Sequence, residues 1–86
     1  MNIQEKFYKA IKNNDINNVE LLLKNEKINP SKDNNYAVQL ASENGHIDIV
    51  NLLWQDQRVK DTLKVDDKEL YNELIKNDIK DKIEDF

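Results

Sequence analysis

The chain has 86 residues with 17 acidic and 13 basic side chains, and its formal net charge at pH 7 is -4. This length allows one domain with a small core, the lack of cysteine excludes disulfides and thiolate metal sites, and the negative charge disfavours nonspecific binding to nucleic acid. Because no apolar run approaches the roughly 18 residues of a membrane-spanning helix, we expect an intracellular, cytoplasmic protein with no nucleic-acid or membrane partner.

Apolar residues recur at the spacing of amphipathic helices in six short segments. In chain order these apolar faces are Ile3, Phe7, Ala10 and Ile11; Ile16, Val19, Leu22 and Leu23; Val38, Leu40 and Ala41; Ile47, Val50, Leu53 and Trp54; Leu70 and Leu74; and Ile79, Ile83 and Phe86. A single glycine and a single proline leave little of the turn chemistry that β-rich chains need. The sequence therefore predicts an all-α protein built from three pairs of helices.

The helical pairs repeat along the chain with a period of about 31 residues. The stretch "AIKNNDINNVELLL", which begins at Ala10, matches "ASENGHIDIVNLLW", which begins at Ala41. One residue is inserted before the third copy, in which "KVDDKELYNELIKNDI" matches "KDNNYAVQLASENGHI". This pattern predicts repeated units of helix, tight turn, helix and long connecting loop.

Each unit has a residue suited to a tight reversal at the same place. The three turn residues are Asn14, Gly45 and Asn77. Glycine and asparagine adopt a positive φ more easily than other residue types. The residues that follow the turns are Asp15, His46 and Asp78. A side chain at this position can cap the next helix, so the chain's only glycine predicts a left-handed turn between two helices.

The middle unit contains the most specific motif, "YAVQLASENGHIDIVNLL". This segment resembles the ankyrin repeat, in which the family has T-P-L-H-x-A-A-x-x-G-H-x-E-V-V-x-L-L. The residues in register are Ala41, Gly45, His46, Val50, Leu52 and Leu53. Tyr36, Ala37 and Gln39 stand where Thr, Pro and His are usual, so we expect the first helix to begin differently. "NNYA" and "ASENGH" resemble a divergent group of ankyrin proteins found in large amoeba-infecting viruses.

The resemblance implies an all-α, ankyrin-like stack of about three helix-turn-helix repeats with long connecting loops. We expect a single domain over 1–86, with a first repeat at 1–30, a second at 31–61 and a third at 62–86. The terminal repeats are expected to act as caps, because the last repeat has no neighbour to cover its outer face. In its last helix, Ile79, Ile83 and Phe86 are expected to be buried.

Side chains that carry catalysis or bind metals are few. His46 is the only histidine, and two residues that are two apart on a helix, such as His46 and Asp48, point to different sides. The acidic run at 66–73 suits a helix N-terminus, where the helix dipole favours carboxylates. No glycine-rich phosphate loop is present. The sequence therefore predicts no enzyme activity, no metal and no cofactor.

The expected function is recognition of another protein. By resemblance, the partner contacts the loop tips and the concave face of the first helices, and the implied contact residues are Lys12, Asn13, Lys32, Asp33, Asn35, Glu43 and Asn44. Trp54 has two interpretations: a core residue packed against the third repeat, or an exposed anchor that binds the partner. We expect a non-catalytic, monomeric interaction module that works as a standalone adaptor or inhibitor. The alternative is a structural or assembly protein that associates with copies of itself or with a larger particle.

Overall fold

The computed structural model describes residues 2–84, and the side chains of residues 2–77. Over this part of the chain the secondary structure is helical, with no strand. The helices are α1 (Ile3–Lys12), α2 (Ile16–Leu23), α3 (Lys32–Glu43), α4 (Ile47–Trp54), α5 (Gln57–Asp66) and α6 (Lys68–Glu84). The predicted all-α stack of helix-turn-helix units is therefore confirmed as the fold class.

The first two helical pairs fold back at the predicted positions. Asn14, between α1 and α2, has a φ of 56°, and Gly45, between α3 and α4, has a φ of 70°. Glycine has no Cβ to clash in this conformation, and asparagine tolerates it better than most residues. Asp15 then caps α2, because its carboxylate accepts a hydrogen bond from the Asn18 amide. The left-handed turn predicted from the sequence is confirmed in both pairs.

His46 joins these two turns. Its Nε2 lies 3.1 Å from the carbonyl oxygen of Lys12, the last residue of α1. It makes no side-chain hydrogen bond that caps α4. The ring therefore connects neighbouring turns and holds the ends of α1 and α3 side by side.

Helix α3 lies at the centre of the fold. It packs against α1, α4 and α5, while α4 also contacts α2 and α5. The core between these helices is apolar, and its fully buried side chains include Phe7, Ile11, Val38, Ile49 and Leu53. Each amphipathic helix buries its apolar face against a neighbour, which stabilises the stack.

The start of α3 is a left-handed turn. Asp33, Asn34 and Asn35 have φ values of 56°, 58° and 63°. The Asn35 amide donates to the Ser31 carbonyl at 2.9 Å, and the Gln39 side chain donates to the Asn34 carbonyl at 2.6 Å. This conformation costs most residues roughly 1–2 kcal/mol each, and Asn and Asp tolerate it best. The helix thus begins with a left-handed turn that ends at Asn35, directly before Tyr36, the first residue that departs from the family motif.

The C-terminal part of the chain differs from the prediction. Helix α5 occupies the position of a predicted connecting loop, and α6 continues through Asn77, where the sequence predicts a third turn. Residues 68–84 contain neither glycine nor proline, so a continuous helix satisfies their backbone groups without any left-handed residue. The repeat boundary predicted between 61 and 62 falls inside α5. The predicted burial of Ile79, Ile83 and Phe86 lies outside the described side chains.

Helix α5 forms for local reasons that the repeat pattern hides. The Asp56 carboxylate accepts a hydrogen bond from the Arg58 amide at 2.9 Å and caps the helix. Val59 and Leu63, one turn apart, are both fully buried. The Arg58 guanidinium also donates to the carbonyl oxygen of Ile28 at 3.1 Å. Helix α5 therefore holds the connector between α2 and α3, residues 24–31.

Candidate protein-binding surface

An aromatic pair joins the first helices of the first two units. Tyr8 in α1 and Tyr36 in α3 have ring centroids 5.0 Å apart, and their planes meet at 89°. Tyr36 keeps 45% of its surface exposed, whereas Tyr8 is half-buried. The Tyr8 hydroxyl donates a hydrogen bond to the carboxylate of Asp33 at 3.3 Å. We call Tyr8, Tyr36 and Asp33 the tyrosine corner.

The left-handed turn positions Asp33, and Asn35 anchors that turn in the core. Asn35 is fully buried, and its Nδ2 donates to Thr62 Oγ1 at 2.7 Å and to Asp66 Oδ2 at 2.8 Å. Its Oδ1 accepts no hydrogen bond from the residues that the structure describes. The neutral bond to Thr62 and the charge-assisted bond to Asp66 thus tie the start of α3 to α5. The turn that they fix holds the carboxylate of Asp33 at the surface.

The environment of Tyr8 keeps its hydroxyl protonated. Burial raises the pKa of Tyr8 above its ordinary value, and the nearby Asp33 carboxylate raises it further, while a hydrogen bond with Gln4 lowers it. A phenol with a raised pKa is neutral at pH 7 and remains a donor. The negative charge of the tyrosine corner therefore lies on Asp33.

Six of the predicted contact residues are exposed: Lys12, Asn13, Lys32, Asp33, Glu43 and Asn44. They form two groups at opposite ends of the first helices. Lys32 and Asp33 lie at the start of α3 beside the tyrosine corner, and the other four lie where α1 and α3 end. The His46 bond to the Lys12 carbonyl keeps those two helix ends together.

The two other predicted contact residues are corrected by the structure. Asn35 is 0% exposed and its Nδ2 donates to Thr62 and Asp66, and Trp54 is only 3% exposed. The Trp54 ring lies 5.8 Å from the ring of Tyr71, centroid to centroid, and Lys60 Nζ lies 5.5 Å from the Trp54 centroid. Neither side chain is available to a partner, so Trp54 belongs to the core.

Sequence reasoning missed Tyr8 and Tyr36 as surface residues. Tyr36 was visible only as a departure from the family motif, and Tyr8 only as a position shared with Tyr71 in the repeat alignment. An aromatic residue at an otherwise polar position of a first helix is the signal that finds this pair. The contact between the two rings depends on how α1 packs on α3, and the sequence alone does not determine that packing.

The described part of the chain contains neither a helix that could span a membrane nor a group of side chains that could hold a metal. Within residues 2–84, no helix is both long and apolar enough to cross a membrane. Among the side chains that the structure describes, no group of three or more His, Cys, Asp or Glu is placed to hold a metal ion.

Comparison with known proteins identifies a single family. The family model described as ankyrin repeats (3 copies) matches residues 5–64. Comparison with curated proteins and with solved structures gave no match. The matched range covers most of α1, all of α2 to α4 and most of α5.

Proposed function

Because the chain belongs to the ankyrin-repeat family, we propose that it is a non-catalytic module that binds one protein partner, as a standalone adaptor or inhibitor. Ankyrin repeats generally mediate protein–protein interaction. The observation that carries the proposal is an exposed aromatic residue, Tyr36, braced by a second ring and flanked by exposed charges. The proposed contact residues are Tyr8, Tyr36, Lys12, Asn13, Lys32, Asp33, Glu43 and Asn44.

The composition of this surface suits an interface. Tyrosine is enriched in protein interfaces because it offers a large, amphipathic contact area with few rotatable bonds. Tyr36 loses little further freedom on binding, since its ring already packs at a right angle on Tyr8. The exposed side chains of Lys32 and Asp33 beside it supply part of the polar rim that surrounds a typical interface core.

A charge-reversal variant tests the surface. The variant Lys32→Glu, Asp33→Lys, Glu43→Lys is compared with the control Glu20→Lys, Lys24→Glu, Glu26→Lys, which changes the net charge equally at other exposed positions. Each tagged protein is used to capture partners. A captured partner is then purified, and its affinity for wild type, for the variant and for the control is measured by calorimetry. We expect the first variant to weaken binding at least about tenfold and the control to change it little. Equal binding by wild type and charge-reversal variant contradicts the proposed surface.

The alternative is self-association, and one groove of the protein bears on it. A groove of about 490 Å³ is lined by residues that include Lys6, Lys9 and Asn18. In the repeat alignment Lys6 and Asn18 stand where the second unit has Ala37 and Ile49, which are fully buried. Polar side chains thus replace two of the residues that pack one unit on the next, which disfavours stacking of another copy there. The same groove is also lined by Ala10, Leu22 and the exposed Leu21, which would favour such a contact. A molar mass by light scattering that rises with concentration would support self-association instead.

The remaining parts of the proposal concern place and chemistry. We propose an intracellular location, supported by the lack of cysteine. The likeness of "NNYA" and "ASENGH" to viral ankyrin proteins extends this to the cytoplasm of a host cell. The ankyrin family is a non-catalytic interaction family, and we propose no enzyme activity, cofactor or nucleic-acid partner for this chain.

A further inference from the structure

Building on the proposed function, we propose that the tyrosine corner is a subsite for a basic side chain of the protein partner, a lysine or an arginine. Tyr36 supplies an exposed aromatic ring that packs on Tyr8, and Asp33 supplies a carboxylate beside the Tyr8 hydroxyl. The partner must therefore present a positively charged side chain to this surface.

The exposed ring of Tyr36 favours a cation. The two rings pack edge to face, at 89° with centroids 5.0 Å apart, so the edge of one ring contacts a face of the other, and Tyr36 supplies the exposed ring surface. The face of an aromatic ring carries negative electrostatic potential and attracts ammonium or guanidinium groups within roughly 6 Å of its centroid. Tyr36 is 45% exposed, so a side chain from outside reaches the corner.

The carboxylate supplies the charge. Asp33 is exposed, and its Oδ2 lies 3.3 Å from the Tyr8 hydroxyl, at the edge of the corner. Lys32 precedes it but forms no ion pair with it. Among the side chains of residues 2–77, the ion pair is between Arg58 and Asp56, and the cation–π contact is between Lys60 and Trp54. The corner therefore carries a negative charge that no described basic side chain neutralises.

The backbone holds this charge in place at a conformational cost. Asp33, Asn34 and Asn35 are all left-handed, and such strained segments are retained where the surrounding structure fixes them, often at functional sites. Here the buried Asn35 fixes the turn through Thr62 and Asp66. A carboxylate that is already ordered loses little conformational entropy when it binds.

Titration with a small cation tests the subsite directly on the whole chain. N-acetyl-arginine amide is added to the isotope-labelled protein, and the ring and amide signals of Tyr8, Tyr36 and Asp33 are followed by NMR. N-acetyl-citrulline amide, which has the same shape without the charge, is the matched ligand. We expect saturable shifts at these residues with arginine, in the millimolar range, and none that saturates with citrulline.

Three substitutions and one control assign the effect to its parts. Tyr36→Ala removes the exposed ring, and Asp33→Asn removes the charge while asparagine still tolerates the left-handed backbone. Each is expected to weaken arginine binding about fivefold or more. Tyr36→Phe keeps the ring and is expected to bind within about twofold of wild type. Glu20→Gln removes an exposed acid elsewhere and is expected to change nothing.

Several outcomes overturn the proposal. They are a lack of saturable shifts with arginine, equal shifts with citrulline, or equal weakening by Asp33→Asn and Glu20→Gln. The assay needs no partner, so it is independent of the test of the proposed function. If a captured partner depends on Lys32 and Glu43 for binding but the tyrosine corner does not bind arginine, the proposed function is retained and the subsite is rejected.

Discussion

The side chain of Gln4 forms two hydrogen bonds with the backbone of Asn29, donating from Nε2 to the carbonyl at 3.0 Å and accepting at Oε1 from the amide at 3.2 Å. Gln4 is buried although it is polar. One amide thus satisfies both backbone groups of a residue in the connector, where no helix or strand can do so.

We expect Gln4→Met to lower the free energy of unfolding by about 1–3 kcal/mol, because it leaves the Asn29 amide unpaired without changing the length of the side chain. The Asn29 carbonyl keeps a hydrogen bond from the Lys32 amide. The matched control is Gln57→Met, whose exposed side chain bonds only Asp61, one turn away on the same helix. Its loss should stay below about 0.5 kcal/mol. Urea denaturation measures both, and equal losses would show that the bonds to Asn29 contribute nothing special.

Asn35 combines two effects that substitution separates. Asn35→Gly removes the hydrogen bonds to Thr62 and Asp66 but relieves the left-handed residue, whereas Asn35→Ala removes the bonds and adds a Cβ in an unfavourable backbone conformation. We expect the alanine variant to be less stable than the glycine variant by about 1 kcal/mol. Both should be less stable than wild type by about 1–3 kcal/mol through the lost bonds. Identical unfolding midpoints for the two variants would mean that residue 35 is not left-handed in solution.

The turn at Gly45 gives a test of backbone conformation free of steric contacts. A Cβ at this position meets no atom within 4 Å, and φ is +70°. Gly45→Val should therefore cost roughly 1–2 kcal/mol or more from the backbone alone, because a β-branched residue fits positive φ poorly. Gly45→Asn should cost less, since Asn14 occupies the same turn in the first unit with a φ of 56°. Thermal unfolding that ranks valine at or above asparagine would contradict a left-handed turn.

The Asp56–Arg58 pair makes part of the stability depend on pH. A side-chain hydrogen bond from Arg58, 2.8 Å between the charged groups, lowers the pKa of Asp56 below its ordinary value. A carboxylate with a depressed pKa in the folded state contributes stability above the unfolded pKa of about 4, and that contribution is lost as the pH falls through the folded pKa.

We expect the difference in unfolding free energy between wild type and Asp56→Asn to be about 0.5–1 kcal/mol at pH 6, and to shrink between about pH 4 and pH 2. Asparagine is also a good N-cap, so the variant isolates the charge. Arg58 is partly exposed, and its pKa is raised by the same bond, so it stays charged throughout. Urea midpoints at pH 6, 4 and 2.5 provide the measurement, and a difference that is constant with pH would exclude the ion pair as its source.

Local chemistry explains which parts of the fold the sequence predicted. The turns at Asn14 and Gly45 follow from residue types that favour positive φ, and most of the apolar faces of α1 to α4 follow from helical spacing. The predicted face of α4 was wrong at its start, because Ile47 is 69% exposed and Ile49, which was not assigned to it, is fully buried. The same reasoning failed at Asn77, because asparagine permits a left-handed turn without requiring one. There the helix-favouring sequence of α6 prevailed, and the helix continues to Glu84.

The candidate surface was predictable only in part, because burial depends on the packing of distant segments. Asn35 sits in a polar run, "KDNN", that looks exposed, yet α5 covers it and pairs with its amide. Lys32 and Asp33, three and two residues earlier, remain at the surface as predicted from the family. The meeting of Tyr8 with Tyr36 depends on how α1 and α3 cross, and a pattern within one helix does not determine that.

The connector between α2 and α3 is held by side chains from α1 and from α5. Gln4 near the N-terminus holds Asn29, and Arg58, beyond the second pair of helices, holds the adjacent Ile28. In a linear array each repeat touches only its neighbours, so repeats can detach singly. Here release of either α1 or α5 loosens the same two residues. Pulling between α1 and α5 should accordingly produce one rupture event for this part of the chain, without successive steps.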